Sequence, residues 1–174
     1  MKKGYFQIYT GDGKGKTTAA LGLAFRAMGH GLRTYVGQFM KGRSTGEFKA
    51  SRTFAPLITV ERYGRIGFVS GQGAPAEDDV RLAREGLRKA KEAMISGGYD
   101  IIVLDEIITA YSFHLVTLEE MLELAAARPP GVELVFTGRG APVELMEKAD
   151  LVTEMKQVKH PFRKGIKAQA GVEF

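Results

Sequence analysis

At 174 residues and 19.0 kDa, with 44% hydrophobic and 26% charged residues, the chain has the size and balance of one folded domain, which excludes a disordered or fibrous protein and two full domains. Zero cysteines exclude disulfides, thiolate nucleophiles, iron-sulfur clusters and cysteine zinc sites, while 25 Lys and Arg against 20 Asp and Glu give +5, too modest to name a partner alone. No apolar run approaches the roughly 20 residues of a membrane span, and Met1-Lys2-Lys3 opens no signal-like segment, so a cytoplasmic protein without a membrane partner is expected.

In chain order, Gly4 to Thr10 is rich in aromatic and β-branched residues and runs into a glycine cluster, which predicts a strand and a loop. From Lys16 to Met28, Ala20, Leu21, Ala24, Ala27 and Met28 fall at helical spacing, and Gly29-His30-Gly31 stops the helix. Strands are predicted at Thr34 to Phe39, Leu57 to Tyr63, Asp100 to Asp105, Val132 to Thr137 and Leu151 to Met155. A long helix from about Ala76 to Ser96 repeats Val80, Ala83, Leu87, Ala90 and Met94 on one face. Its Glu77, Asp78 and Asp79 come first and Arg88, Lys89 and Lys91 later, as the helix dipole favours. Another helix starts at Thr117, where Glu120 completes a capping box, and ends before Pro129-Pro130. The polar stretch Lys41 to Glu47 and the glycine-rich stretch between Tyr63 and Pro75 are expected to be mobile active-site loops, and the basic tail from Lys156 to Lys167 is the least regular segment. Strand-helix alternation predicts a single α/β domain over 1–174, with a mostly parallel sheet and helices on both faces.

Gly11-Asp12-Gly13-Lys14-Gly15-Lys16-Thr17-Thr18 sits after a strand and before a helix, the context that a phosphate-binding loop requires. Glycines let backbone N–H groups converge on phosphate oxygens, the helix N-terminus adds positive potential, Lys16 supplies a charge and Thr17 a hydroxyl for magnesium. The first glycine of the usual pattern is replaced by Thr10. Farther on, Ile101-Ile102-Val103-Leu104-Asp105-Glu106 is a buried-strand run ending in two acids, placed to hold magnesium beside a triphosphate. Together these motifs predict a P-loop NTPase-like fold that binds a magnesium nucleotide, and they leave open which bond breaks.

The series continues through Arg26-Ala27-Met28-Gly29-His30-Gly31, Gln38-Phe39-Met40-Lys41-Gly42, Leu104-Asp105-Glu106, Thr137-Gly138-Arg139-Gly140, Val158-Lys159-His160-Pro161-Phe162 and Lys167 to Phe174. Over nearly the whole chain it resembles the P-loop corrinoid adenosyltransferases. The resemblance implies transfer of the 5'-deoxyadenosyl group of ATP to the cobalt(I) of a reduced corrinoid, with release of triphosphate, in adenosylcobalamin synthesis or salvage. It also implies Mg2+ as cofactor, a homodimer and a flavin-type reductase as electron source. Cobalt(I) is itself the nucleophile, so the protein's task is positioning and stabilisation of the departing triphosphate. By the same resemblance Thr17 and Glu106 touch the metal with Asp105 nearby, and Arg26, Lys41 and Arg139 join Gly11 to Thr18 as nucleotide contacts. Lys16 and Phe68 are the catalytic candidates, Phe68 by pressing on the corrin face. Some members of that family carry Phe-x-Trp where this chain has Phe68-Val69-Ser70 and no tryptophan.

His30, His114 and His160 form no metal-ligand spacing and receive no catalytic task, and the tail bases read as a solvated face. The competing reading is a P-loop ATPase acting on nucleic acid, with Glu106 activating water and the +5 charge tracking phosphates. Against it, the short chain has no evident second strand-gripping domain, so nucleic acid is not an expected partner.

Overall fold

All six predicted strands enter one sheet. The computed structural model describes residues 3–66, 74–161 and 165–172. Its strands are β1 (Phe6–Thr10), β2 (Thr34–Phe39), β3 (Ile58–Tyr63), β4 (Ile101–Asp105), β5 (Glu133–Thr137) and β6 (Leu151–Glu154). They lie in the order β3-β2-β4-β5-β1-β6, with every pair parallel. The helices are α1 (Lys16–Met28), α2 (Gly46–Ser51), α3 (Glu77–Ile95), α4 (Ile107–Ser112), α5 (Leu118–Ala126) and α6 (Val143–Met146). Among the described residues, no helix is long and apolar enough to cross a membrane.

Covering both faces explains why β4 reads as an unbroken apolar run rather than an alternating one. Ile101 and Val103 face α1, whose Ala20, Ala24 and Ala27 let the helix lie close to the sheet. Ile102 and Leu104 face the opposite layer, where α3, α4, α5 and α6 contribute Ala83, Ala90, Met94, Ile107, Met121 and Leu145. Such side chains each contribute on the order of 1.5–3 kcal/mol on leaving water, and their burial fixes the strand ends on which the site is built.

Several predicted boundaries shift for local reasons. β1 begins at Phe6, and just before it the Tyr5 N–H donates to Glu133 Oε2 at 2.8 Å. The polar stretch read as a loop carries α2, held by Phe48, over whose ring the Arg62 guanidinium stacks at 3.9 Å. Six residues are too few to show a helical period, which also hides α4. In α3 the acids occupy the first turn as expected, but the last turn holds no base. Arg88 instead pairs with Glu92 one turn on. Thr117 and Glu120 form the expected capping box at the start of α5.

Candidate active site

Strand register assembles the site at the carboxyl edge of the sheet, where ligands of open α/β folds bind. Gln38 on β2 lies opposite Asp105 on β4, and Thr137 follows Phe136, the partner of Leu104. The end of β1 passes directly into the glycine loop. Gly13 must be a glycine here, because its N–H donates to Met155 O at 2.6 Å and an added Cβ would stand 2.5 Å from that oxygen. That amide is therefore committed to the chain after β6 rather than turned to a ligand. Thr10, in place of the usual glycine, uses its hydroxyl to accept from Ala141 N at 3.1 Å, so the variant residue ties the loop to the turn after β5.

Lys16 opens α1 and is 6% exposed. Its Nζ donates to the carbonyls of Gly11 at 2.6 Å and Gly13 at 2.8 Å, which aims the ammonium into the loop. Burial pulls its pKa below the ordinary lysine value, with Glu106 opposing and Arg139 assisting that shift.

Asp105 is the most heavily bonded side chain of the site and is 1% exposed. Its Oδ1 accepts from Thr17 Oγ1 at 2.7 Å and Thr137 Oγ1 at 2.8 Å. Its Oδ2 accepts from Lys41 Nζ at 2.6 Å and Gln38 Nε2 at 3.2 Å. Thr137 also accepts from the N–H of Glu106, which holds a left-handed backbone (φ 64°) and turns its carboxylate toward the cavity. Thr109 Oγ1 in turn donates to Glu106 Oε2. Glu47 of α2 completes the group, taking Gln38 Nε2 at 3.0 Å and lying 3.5 Å from Lys41 Nζ. Burial alone would raise Glu47, but the Gln38 amide, a backbone N–H and Lys41 outweigh it and hold the carboxyl below its usual range. For Lys41, burial works downward while the adjacent Asp105, with Glu47 and Glu106, prevails and lifts the ammonium above its ordinary value.

These groups surround a cavity of about 480 Å³, within the size of small-molecule sites. Asp12, Gly13, Lys14, Gly15, Lys16, Thr17 and Thr18 line it, with Lys41, Glu106 and Arg139 from the other predicted contacts. Gly11 reaches the site through its carbonyl, and Asp105 lies beneath the wall. Arg26 stands apart from the cavity lining, exposed in the last turn of α1 and about 15 Å of helix from Lys16. Phe68 and Ser70 lie outside the described residues. Gln38, Glu47 and Thr137 received no role from sequence reasoning, nor did His160, which lines the cavity with Gly171 and Val172. Lys14 Nζ donates to Val172 O at 2.8 Å, so the chain's last described residues fold back over the cradle.

The turn after β5 supports the acid cluster. A methyl on Gly138 (φ +146°) would lie 2.5 Å from Thr109 N and 2.7 Å from Ile108 Cβ, while Thr109 both holds Glu106 and accepts from Arg139 N at 3.2 Å. Gly138→Ala is therefore expected to lower stability by about 2–4 kcal/mol in thermal unfolding and to weaken nucleotide binding in the folded fraction. An unchanged melting temperature would show that the turn relaxes freely.

Comparison with known proteins fits this geometry. The chain aligns with a corrinoid adenosyltransferase of Pseudomonas aeruginosa at 38% identity, covering 99% of this chain and 85% of that one. It aligns with another of Sinorhizobium sp. at 40% identity over 99% and 81%, and with one of Escherichia coli K12 at 34% over 99% and 87%. A KaiC-like protein of Pyrococcus horikoshii OT3 shares the fold, with a TM-score of 0.60 at 18% identity over 91% of this chain and 75% of that one. The profile of the ATP:corrinoid adenosyltransferase BtuR/CobO/CobP family matches residues 2–174, and with a glycine loop lining one cavity and bonded through Thr17 to the buried Asp105 beneath it, the chain belongs to that family.

Proposed function

We propose that the chain transfers the 5'-deoxyadenosyl group of ATP to the cobalt(I) of a reduced corrinoid. The C5'–O5' bond breaks, the cobalt electron pair forms the carbon-cobalt bond, and triphosphate leaves with the electrons of the broken bond. The observation that carries this reading, beside family membership, is the placement of Lys16 inside the glycine loop on the wall of one cavity, with its neighbour Thr17 bonded to the buried Asp105. Lys16 and Arg139 meet the charge that grows on the leaving group, and the loop fixes the phosphates so that C5' faces outward.

The donor set suits magnesium. Thr17, Glu106 and the adjacent Asp105 offer hard oxygens, and Mg2+ takes few protein ligands when phosphates supply the rest. When bound, it would neutralise charge on the triphosphate; Thr17 and Glu106 would hold it. Phe68 keeps the assignment that the family resemblance gives it, contact with the corrin face. The functional unit is a homodimer, for which the edge strand β6, with Leu151 43% and Val152 42% exposed, is the supporting feature. A flavin-type reductase supplies the electron that makes cobalt(I).

Product analysis tests the reaction. Incubation with Mg-ATP and a chemically reduced corrinoid is expected to yield triphosphate and adenosylated corrinoid in equal amounts, read by chromatography and the corrinoid spectrum. ADP and phosphate, formed only when DNA is added, would instead establish the nucleic-acid ATPase reading.

A further inference from the structure

Asp105 presents a problem of charge. Its carboxylate is almost wholly buried and all its acceptor positions are used: two by hydroxyls, one by an amide and one by the ammonium of Lys41. A buried carboxylate of this kind is tolerable only beside a cation. Lys41 reaches it from the loop after β2, and its second anion, Glu47, lies 3.5 Å away on the cavity wall. Gln38 Nε2 bridges the same two carboxylates, so Asp105, Lys41, Glu47 and Gln38 close a ring with two positions for one ammonium. The Oε1 of Gln38 is buried and accepts no hydrogen bond from the described residues, leaving one acceptor in this ring free for a further donor.

We propose that Lys41 is a tethered counter-ion that neutralises Asp105 until a divalent cation enters, and that the ammonium then leaves Asp105 for the cavity, where Glu47 and the triphosphate receive it. The proposal rests on the assignment of Asp105, Thr17 and Glu106 to the cation site. Two cations compete for one buried carboxylate, because holding both would place like charges a few ångströms apart in a poorly solvated site. Entry of the metal and delivery of Lys41 to the leaving group thus become one exchange. Glu47 and Gln38 are positioning residues that give the displaced ammonium its second resting place.

The exchange is tested by Mn2+ binding to the full chain without nucleotide, read from the electron paramagnetic resonance of free Mn2+. Lys41→Met is expected to bind Mn2+ about tenfold more tightly than the unaltered protein, within the usual span of coupled sites. Lys41→Arg, which keeps the charge, is expected to stay near the unaltered protein. Lys41→Gln removes the charge but keeps a donor for Asp105, so it carries the same expectation as Lys41→Met should that variant fail to fold. Asp105→Asn is expected to weaken Mn2+ binding in the otherwise unaltered protein. Equal Mn2+ affinity in the Gln, Met and unaltered proteins, with Asp105→Asn still weakening it, overturns the exchange and leaves the cation site standing. Unchanged affinity in Asp105→Asn overturns the cation site and the exchange with it.

Discussion

Replacing Lys16 with alanine is expected to abolish measurable Mg-ATP binding and turnover while the fold persists. Its ammonium lies inside the glycine loop, held by the carbonyls of Gly11 and Gly13 at 2.6 and 2.8 Å. It is a side-chain cation that the loop's own carbonyls hold at the first turn of α1, where the helix N-terminus adds its own positive potential. A charge-assisted hydrogen bond is worth about 1.5–3 kcal/mol, and a lysine bridging two phosphate oxygens makes more than one. The loss in affinity should reach at least about 100-fold by titration calorimetry. Stability should change little, because the loop is also closed by the Gly13 bond to Met155 and the Met155 bond to Thr10. ATP affinity retained within a few-fold would remove Lys16 from the site. A collapsed melting transition would instead assign it a structural role.

The parts of the site that could be read from sequence are those whose members are neighbours along the chain. Gly11 to Thr18 lie together in one motif, and Asp105 and Glu106 end an apolar run whose burial on both faces marks a central parallel strand. The rest depends on register and chain return. Gln38 meets Asp105 across 67 positions, Thr137 meets it across 32, and Lys14 meets Val172 across 158. No periodicity in a single sequence encodes which strands lie side by side, so the amide, the hydroxyl and the returning tail had no local mark. Glu47 was hidden because α2 is too short for a helical pattern. The strands were legible throughout because β-branched and aromatic residues cluster at regular intervals, whereas the exposure of all four residues of β6 was not, since its Leu-Val-Thr-Glu composition resembles that of a covered strand.

Asp105→Ala is expected to lower the stability of the fold markedly. It removes the acceptor of two hydroxyls, an amide and an ammonium at once. Thr137 still accepts from Glu106 N, but its hydroxyl and that of Thr17 lose their acceptor, and Lys41 keeps only Glu47 at 3.5 Å. Breaking a buried pair from one side costs about 3–5 kcal/mol. Because Lys41 retains 23% exposure, water recovers part of that, and about 2–3 kcal/mol is the expected loss. In a chain of this length that corresponds to a drop of about 4–12 °C in melting temperature. The double change Asp105→Ala with Lys41→Met removes both charges and should recover a substantial share, since the uncompensated ammonium rather than the missing contacts dominates the cost. If the double variant melts lower than Asp105→Ala alone by the full cost of Lys41→Met measured singly, the two residues act independently, and the charge pairing that organises this edge of the sheet would have to be abandoned.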